Sequence, residues 1–227
     1  MTGGILFDMD GTLIESEPIW IAEEARLAAD LGIPWTTEDA AKTVGGPLDE
    51  FANIFIERGA QIGHHELIAT LSDRVTAHIL GGPPWLPGAY ELLQSIAAAG
   101  IPAAIVTNSM RRTVEPVLAA APDGALRLAV TFDDVERSKP DAEPYLTGAT
   151  GLGIPREHAI VFEDSITGAT AARAAGMPIW FVETHMSAPQ WADRAIKDLS
   201  EVTVDELRAA LAALVERAPN RPSTQQA

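Results

Sequence analysis

Short apolar runs and helical patterns alternate over most of the chain. Five apolar runs are too short for helices and end at glycine or polar residues, which predicts buried β-strands. They lie at residues 5–7, 103–107, 128–132, 159–162 and 178–182. Helical patterns separate the later runs, at about residues 90–99, 113–121 and 166–175, and a capping box at residues 203–206 predicts a last helix. Short apolar strands joined by helices are typical of a parallel sheet that helices cover on both faces.

One long stretch interrupts this alternation. Between about residues 17 and 80 the chain shows helical patterns and no convincing strand. The four helices are expected to begin at Ser16, at Thr36 or Thr37, near residue 48 and near residue 65. Residues 81–88 are rich in glycine and proline, which is typical of a linker that returns to the sheet.

The predicted fold is therefore α/β, with a doubly wound parallel-sheet (Rossmannoid) core and a small α-helical cap inserted after the first strand. We expect residues 1–15 and 82–218 to form the core and residues 16–81 to form the cap. A polar stretch at residues 219–227 is expected to be a disordered tail.

Polar clusters follow three of the predicted strands. The clusters are Asp8 and Asp10, Thr107-Asn108-Ser109, and Glu163-Asp164-Ser165. In α/β sheets ligands bind at the carboxyl ends of the strands, so we expect these clusters to share one site. Crowded carboxylates repel each other unless a cation lies between them, and a hard divalent cation such as Mg²⁺ prefers oxygen ligands. The sequence therefore predicts a magnesium site at this edge of the sheet.

The composition narrows the classes of function. The 227 residues carry a formal net charge of -16 and include no cysteine. The absence of cysteine excludes a disulfide framework, a thiolate metal site and a cysteine nucleophile. The negative charge argues against nucleic acid and anionic membranes as partners, and no apolar stretch approaches the ~20 residues of a membrane span. We expect a cytoplasmic monomer that acts on a small molecule.

Four motifs, in a fixed order, identify a family. They are Asp8-Met9-Asp10-Gly11-Thr12, Thr107-Asn108-Ser109, Lys139-Pro140 and Phe162-Glu163-Asp164-Ser165. Each lies at a predicted strand end or in the loop that follows, and in this order the chain resembles the haloacid dehalogenase-like (HAD) hydrolase superfamily. The resemblance covers nearly the whole chain and points to the β-phosphoglucomutase-like subgroup with a small helical cap. It implies a phosphatase for a small phosphorylated metabolite, either a sugar phosphate or a polyol phosphate.

The resemblance also implies a covalent mechanism. Asp8 would attack the phosphate ester and form an aspartyl-phosphate. Asp10 would act first as general acid and then as general base. Asp8 and Asp164 would hold Mg²⁺ with their side chains, and Asp10 would offer its backbone carbonyl. Glu163 would be either a direct metal ligand or a member of the outer shell.

The same resemblance assigns the residues that hold the substrate. Lys139 and Thr107 would stabilise the phosphoryl oxygens, where charge stabilisation supplies much of the catalysis. The remaining contacts to the substrate and its phosphate are expected from Gly11, Thr12, Asn108, Ser109 and Gly46. Gly46 belongs to the cap loop Val44-Gly45-Gly46, whose glycines would allow the backbone to approach the substrate closely.

Each motif also has a plainer interpretation. Asp10-Gly11 is common turn chemistry, so the first acid pair fits a simple strand-end turn. The clusters that begin at Thr107 and Glu163 fit helix caps. Lys139 alone fits a solvated loop lysine.

Two other functions stay open at this point. A phosphotransferase of the β-phosphoglucomutase type would carry a histidine where this chain has Trp20, and an arginine after the cap-loop glycine, which this chain lacks. A catalytically silent binding module would lack an acid or the lysine of the motifs, and none is missing. Water is therefore the expected phosphoryl acceptor. Trp20 is expected to be a packing anchor of the cap.

Overall fold

A computed structural model describes residues 3–43 and 46–217 of the chain. The strands are β1 Gly4–Phe7, β2 Ala103–Val106, β3 Leu128–Val130, β4 Ala159–Glu163, β5 Ile179–Val182 and β6 Arg194–Ile196. The helices are α1 Glu17–Asp30, α2 Thr37–Thr43, α3 Leu48–Glu57, α4 His64–Ile79, α5 Ala89–Ala99, α6 Arg111–Ala120, α7 Glu143–Leu152, α8 Ile166–Ala174 and α9 Val204–Arg217. All six strands are parallel and lie in the order β3-β2-β1-β4-β5-β6, which confirms the predicted α/β fold.

Strand β1 lies at the centre of this sheet. Ile5 is in register with Ala103 of β2 on one side and with Ile160 of β4 on the other. Every residue of β1 is buried, and its side chains enter opposite layers: Ile5 and Phe7 pack in one hydrophobic cluster and Leu6 in a second. An apolar run that is buried on both faces is what the sequence predicts for a central parallel strand. The strand order changes direction between β1 and β4, and α/β sheets bind ligands at such a point.

Helices α1 to α4 follow β1, and we call these four helices the cap. The cap rests on the core through α4, which shares a hydrophobic cluster with α6 through residues such as Val75 and Val114. The hydroxyl oxygens of Thr76 on α4 and Thr113 on α6 lie 3.1 Å apart. The division of the chain into a core of residues 1–15 and 82–218 and a cap of residues 16–81 stays a prediction, while the helical character of this stretch agrees with the sequence pattern.

Helix α7 and strand β6 were not predicted from the sequence. Helix α7 contains Gly148 and Gly151, and glycine lowers helix propensity. A Cβ added at Gly148 would lie 2.8 Å from the side chain of Val106, so the glycine allows α7 to lie close against the sheet. Strand β6 has only three residues at the sheet edge, which is too short for an apolar run to be recognised.

Smaller differences occur at the ends of elements. The strand predicted at residues 128–132 ends at Val130. Ser16 precedes α1 as predicted, but its hydroxyl donates to the Asp10 carboxylate and does not cap the helix. Thr36 caps α2, because its hydroxyl accepts a hydrogen bond from a backbone N–H in the first turn.

Some predictions concern residues outside those that the structure describes. Val44 and Gly45, which we expect in the substrate cleft, and the tail of residues 219–227 are among them. Among the helices of residues 3–43 and 46–217, none is both long enough and apolar enough to cross a bilayer.

Candidate active site

The predicted polar clusters meet at the carboxyl end of the sheet. Asp8 follows β1, Thr107 follows β2, and Asp164 follows β4, so neighbouring strands bring the three side chains to one edge. Lys139 reaches the same place from the loop between β3 and α7. The sheet order therefore explains why residues more than a hundred positions apart in the sequence share one site.

Lys139 joins two of the acids. Its Nζ donates to Asp8 Oδ1 at 2.6 Å and to Glu163 Oε1 at 2.6 Å, and the lysine is only 2% exposed. Burial by itself would lower the pKa of the Lys139 amine, but the carboxylates of Asp8 and Glu163 hold this pKa above its usual value. The amine is therefore a fixed positive charge on the floor of the site, which excludes a solvated loop lysine.

Glu163 takes hydrogen bonds on both carboxylate oxygens. Besides Lys139, the Tyr145 hydroxyl donates to Oε1 at 2.5 Å. On the other side, the backbone N–H and the hydroxyl of Ser165 donate to Oε2 at 3.3 and 3.0 Å. Gly168 lies against the same carboxylate, because a Cβ there would be 1.7 Å from Oε1. Tyr145 was missed from the sequence because it lies on the unpredicted helix α7.

The site carries a surplus of buried negative charge. One carboxylate oxygen each from Asp8, Glu163 and Asp164 lies within 4.8 Å of the others, and all three residues are buried. Burial raises the pKa of Asp8 well above its usual range, against the attraction of Lys139. Burial also raises the pKa of Asp164, and the charges of Asp8 and Glu163 add to this effect. Three carboxyl groups facing a single amine fit the oxygen-ligand chemistry of a divalent cation.

Asp10 connects the core with the cap. Its Oδ1 accepts hydrogen bonds from the Ser16 hydroxyl at 2.5 Å and from the Trp20 indole N–H at 3.0 Å. Its Oδ2 accepts from the hydroxyls of Ser109 at 2.7 Å and Thr107 at 3.3 Å. Trp20 is packed in the hydrophobic cluster, as expected of an anchor, and also orients this carboxylate.

Three other residues predicted to contact the phosphate lie against Asp164 or against the loop of Lys139. The Gly11 backbone has a φ of 79°, and a Cβ there would lie 2.1 Å from Asp164 Oδ2, so this position requires glycine. The Thr12 hydroxyl donates to Asp164 Oδ1 at 3.4 Å. The Asn108 side chain accepts from the backbone N–H of Lys139 at 3.0 Å and donates to its carbonyl at 3.3 Å, so it positions the lysine loop.

A cavity of about 290 Å³ separates these residues from the cap. Its core side is lined by Asp8, Asp10, Thr107, Ser109, Lys139 and Asp164. Its cap side is lined by Glu17, Trp20, Glu24, Thr43, Gly46 and Phe51. Gly46 thus lies at the cleft, as the sequence predicts for this part of the cap loop.

Glu17 and Glu24 are site residues that the sequence analysis missed. Glu17, Trp20 and Glu24 are spaced three and four residues apart, so they lie on one face of α1. This spacing was the feature of the sequence from which they could have been predicted. Burial raises the pKa of Glu17 to about 7, with the charges of Asp10 and Glu15 adding to it. Burial likewise raises the pKa of Glu24 to about 7.

Comparison with known proteins identifies the family. Residues 5–182 match the family model of the haloacid dehalogenase-like hydrolases. The chain belongs to the haloacid dehalogenase-like hydrolase family. This confirms both the resemblance carried by the four motifs and the expectation of an enzyme.

Relatives of this hydrolase include named phosphatases. It is 35% identical over 202 residues to validoxylamine A 7'-phosphate phosphatase of Streptomyces hygroscopicus subsp. limoneus, covering 87% of this chain and 94% of the relative. It is 31% identical to hexitol phosphatase A of Escherichia coli K12, covering 88% and 93% of the two chains. The crystal structure of CbbY from Rhodobacter sphaeroides in complex with phosphate superimposes with a TM-score of 0.81 at 25% identity, covering 91% of this chain and 99% of CbbY.

The close approach of Gly168 to Glu163 gives a testable prediction for this hydrolase. Gly168→Ala should displace the Glu163 carboxylate and loosen its contact with Lys139, at a cost of roughly 1–3 kcal/mol for overpacking. Thermal unfolding should show a lower Tm. Gly81→Ala is the matched control, because its Cβ would meet its nearest neighbour at an ordinary 3.6 Å. A Gly168→Ala protein that melts with the parent would contradict this account of the site.

Proposed function

We propose that the chain is a Mg²⁺-dependent phosphatase that hydrolyses a small sugar or polyol phosphate through an aspartyl-phosphate on Asp8. The observation that carries this proposal is the Asp8 carboxylate, which lines the cavity and is held 2.6 Å from the Lys139 amine. The relatives named as phosphatases of validoxylamine A 7'-phosphate and of hexitols support the substrate class.

The acid cluster suggests which groups would hold the metal. Asp8 and Asp164 would supply side-chain oxygens, and Asp10 would supply its backbone carbonyl. Glu163 would stay in the outer shell, since its two oxygens already accept four hydrogen bonds. A bound Mg²⁺ supplies positive charge that reduces the repulsion between the nucleophile and the phosphate dianion.

The protein groups then divide the reaction into two displacements. In the first, an oxygen of Asp8 bonds to phosphorus while the ester P–O bond breaks, and Asp10 gives a proton to the departing alkoxide. In the second, Asp10 takes a proton from water, which attacks the same phosphorus and releases Asp8 and inorganic phosphate. Lys139 and Thr107 would stabilise the phosphoryl oxygens during both steps.

A panel of phosphorylated metabolites tests the proposed function directly. Phosphate release from hexose, pentose and polyol phosphates is the expected result. Incubation with a hexose 1-phosphate and the corresponding bisphosphate separates hydrolysis from the mutase alternative, because only a mutase returns an isomer. The absence of phosphate release from every ester would overturn the proposal. A cytoplasmic location, a monomeric state and the absence of nucleic-acid and membrane partners also stay predictions.

The nucleophile is tested by Asp8→Asn. This change removes the attacking carboxylate but nearly preserves its shape, so we expect turnover to fall by at least about a thousandfold. Circular dichroism and the Tm should show that the fold is retained. Asp123→Asn is the control, because Asp123 is exposed and lies outside the cavity. Turnover within tenfold of the parent would rule out the covalent mechanism.

The metal is tested by chelation. We expect activity to vanish with EDTA and to return with Mg²⁺, because the buried carboxylates require a cation to bring a phosphate dianion close. Ca²⁺ should inhibit, since its larger and more flexible coordination would occupy the nucleophilic oxygen. Mg²⁺ should also raise the Tm of the parent, and Asp164→Asn should reduce this rise. Full activity after exhaustive chelation would contradict the assignment.

A further inference from the structure

Two acidic side chains line the cap side of the cavity, and no lysine, arginine or histidine of the described cap residues lines it with them. They are Glu17 and Glu24 of α1, and Asp8 lines the same cavity from the core. Glu24 is 4% exposed, and its Oε2 accepts a hydrogen bond from the Thr43 hydroxyl at 2.9 Å. Within residues 3–43 and 46–217 the Glu17 carboxylate has no hydrogen-bond donor.

The basic residues of the cap lie elsewhere. Arg26 pairs with Glu23, Lys42 with Glu38, Arg58 with Asp39, and Arg74 with Asp30. None of these four cations lines the cavity in the part of the chain that the structure describes. Among the described residues, Lys139 is the one lysine or arginine that lines it, and Asp8 and Glu163 already engage its amine. His185 also lines the cavity from the core side, and its Nε2 lies 3.2 Å from Glu15 Oε1.

The position of the phosphoryl group determines which part of the substrate meets the cap side of the cavity. If Asp8 is the nucleophile, the phosphoryl group lies at the core end, and the leaving group extends toward Glu17 and Glu24. An ionised carboxylate only accepts hydrogen bonds, so it favours hydroxyl and ammonium donors and repels a second anion. Burial raises the pKa of both glutamates to about 7, so a bound ammonium group, which favours the ionised form of a carboxyl group, would stabilise both of them as carboxylates.

We propose that Glu17 and Glu24 form a leaving-group subsite that selects phosphate monoesters of hydroxyl-rich compounds carrying a protonated amine and rejects those carrying a second acidic group. This inference rests on the proposed function and adds the charge class of the substrate. It also weighs against a mutase, whose bisphosphate would place a second dianion beside these two carboxyl groups.

Three substrates that differ mainly in charge test this selection. They are glucosamine 6-phosphate, glucose 6-phosphate and 6-phosphogluconate, assayed with the full chain and Mg²⁺ at neutral pH. We expect kcat/KM to fall in that order, by roughly tenfold or more between the amine and the acid, because each step removes an attraction or adds a repulsion. An equal or reversed order would overturn the inference while leaving the phosphatase itself intact.

Charge-neutral variants assign the selection to residues. Glu17→Gln and Glu24→Gln keep the shape of the side chain but remove its charge. In each variant the ratio of kcat/KM for glucosamine 6-phosphate to kcat/KM for 6-phosphogluconate should fall at least about threefold to fivefold. This is roughly the effect expected from the loss of one charge that solvent partly screens. Glu23→Gln is the matched control, because Glu23 lies on the same helix but faces Arg26 and His78 outside the cavity. Its ratio should equal that of the parent.

The outcomes separate the two levels of the proposal. A ratio that is unchanged in both Glu17→Gln and Glu24→Gln overturns the subsite, even if the parent prefers the amine. A ratio that falls equally in Glu23→Gln shows an effect of net charge and also overturns it. If the parent releases no phosphate from any ester, the proposed function fails and the subsite falls with it.

Discussion

The buried amine of Lys139 between Asp8 and Glu163 is the interaction on which the rest of the site depends. Charged groups lose hydration when they are buried, and only good geometry and further hydrogen bonds compensate for this loss. Here the Asn108 side chain fixes the lysine backbone, and the Tyr145 hydroxyl shares the Glu163 oxygen that the amine contacts. Without the amine, acids from β1 and β4 would face each other across a short gap, and their mutual repulsion would oppose the pairing of the two strands.

The Asp10 carboxylate makes the site depend on the cap as well. One of its oxygens accepts from Ser16 and Trp20 at the start of the cap, while the other accepts from Thr107 and Ser109 of the core. A displacement of α1 relative to β2 would therefore remove donors from one oxygen and leave those of the other in place. The orientation of this carboxylate is consequently tied to the position of the cap on the core.

Most of the core was predictable because its strands are short, apolar and bounded by clear stop signals. The acids at strand ends were predictable for the same reason, since a parallel sheet brings those ends together. Helix α7 was not predictable, because Gly148 lowers its helix propensity. The glycine is needed there because the helix packs closely against the sheet. Glu17 and Glu24 were missed because a charged residue on a cap helix is usually exposed to solvent. Only the tertiary structure shows that this face of α1 lines the cavity.

The central position of β1 has a consequence for how the polypeptide is made. Its two partners begin at Ala103 and Ala159, so β1 stays unpaired until the cap, α5 and β2 have been synthesised. Pairing of this kind closes long loops and slows folding. Until then the apolar segment of β1 has no strand partner in the nascent chain, and an unpaired apolar strand favours aggregation.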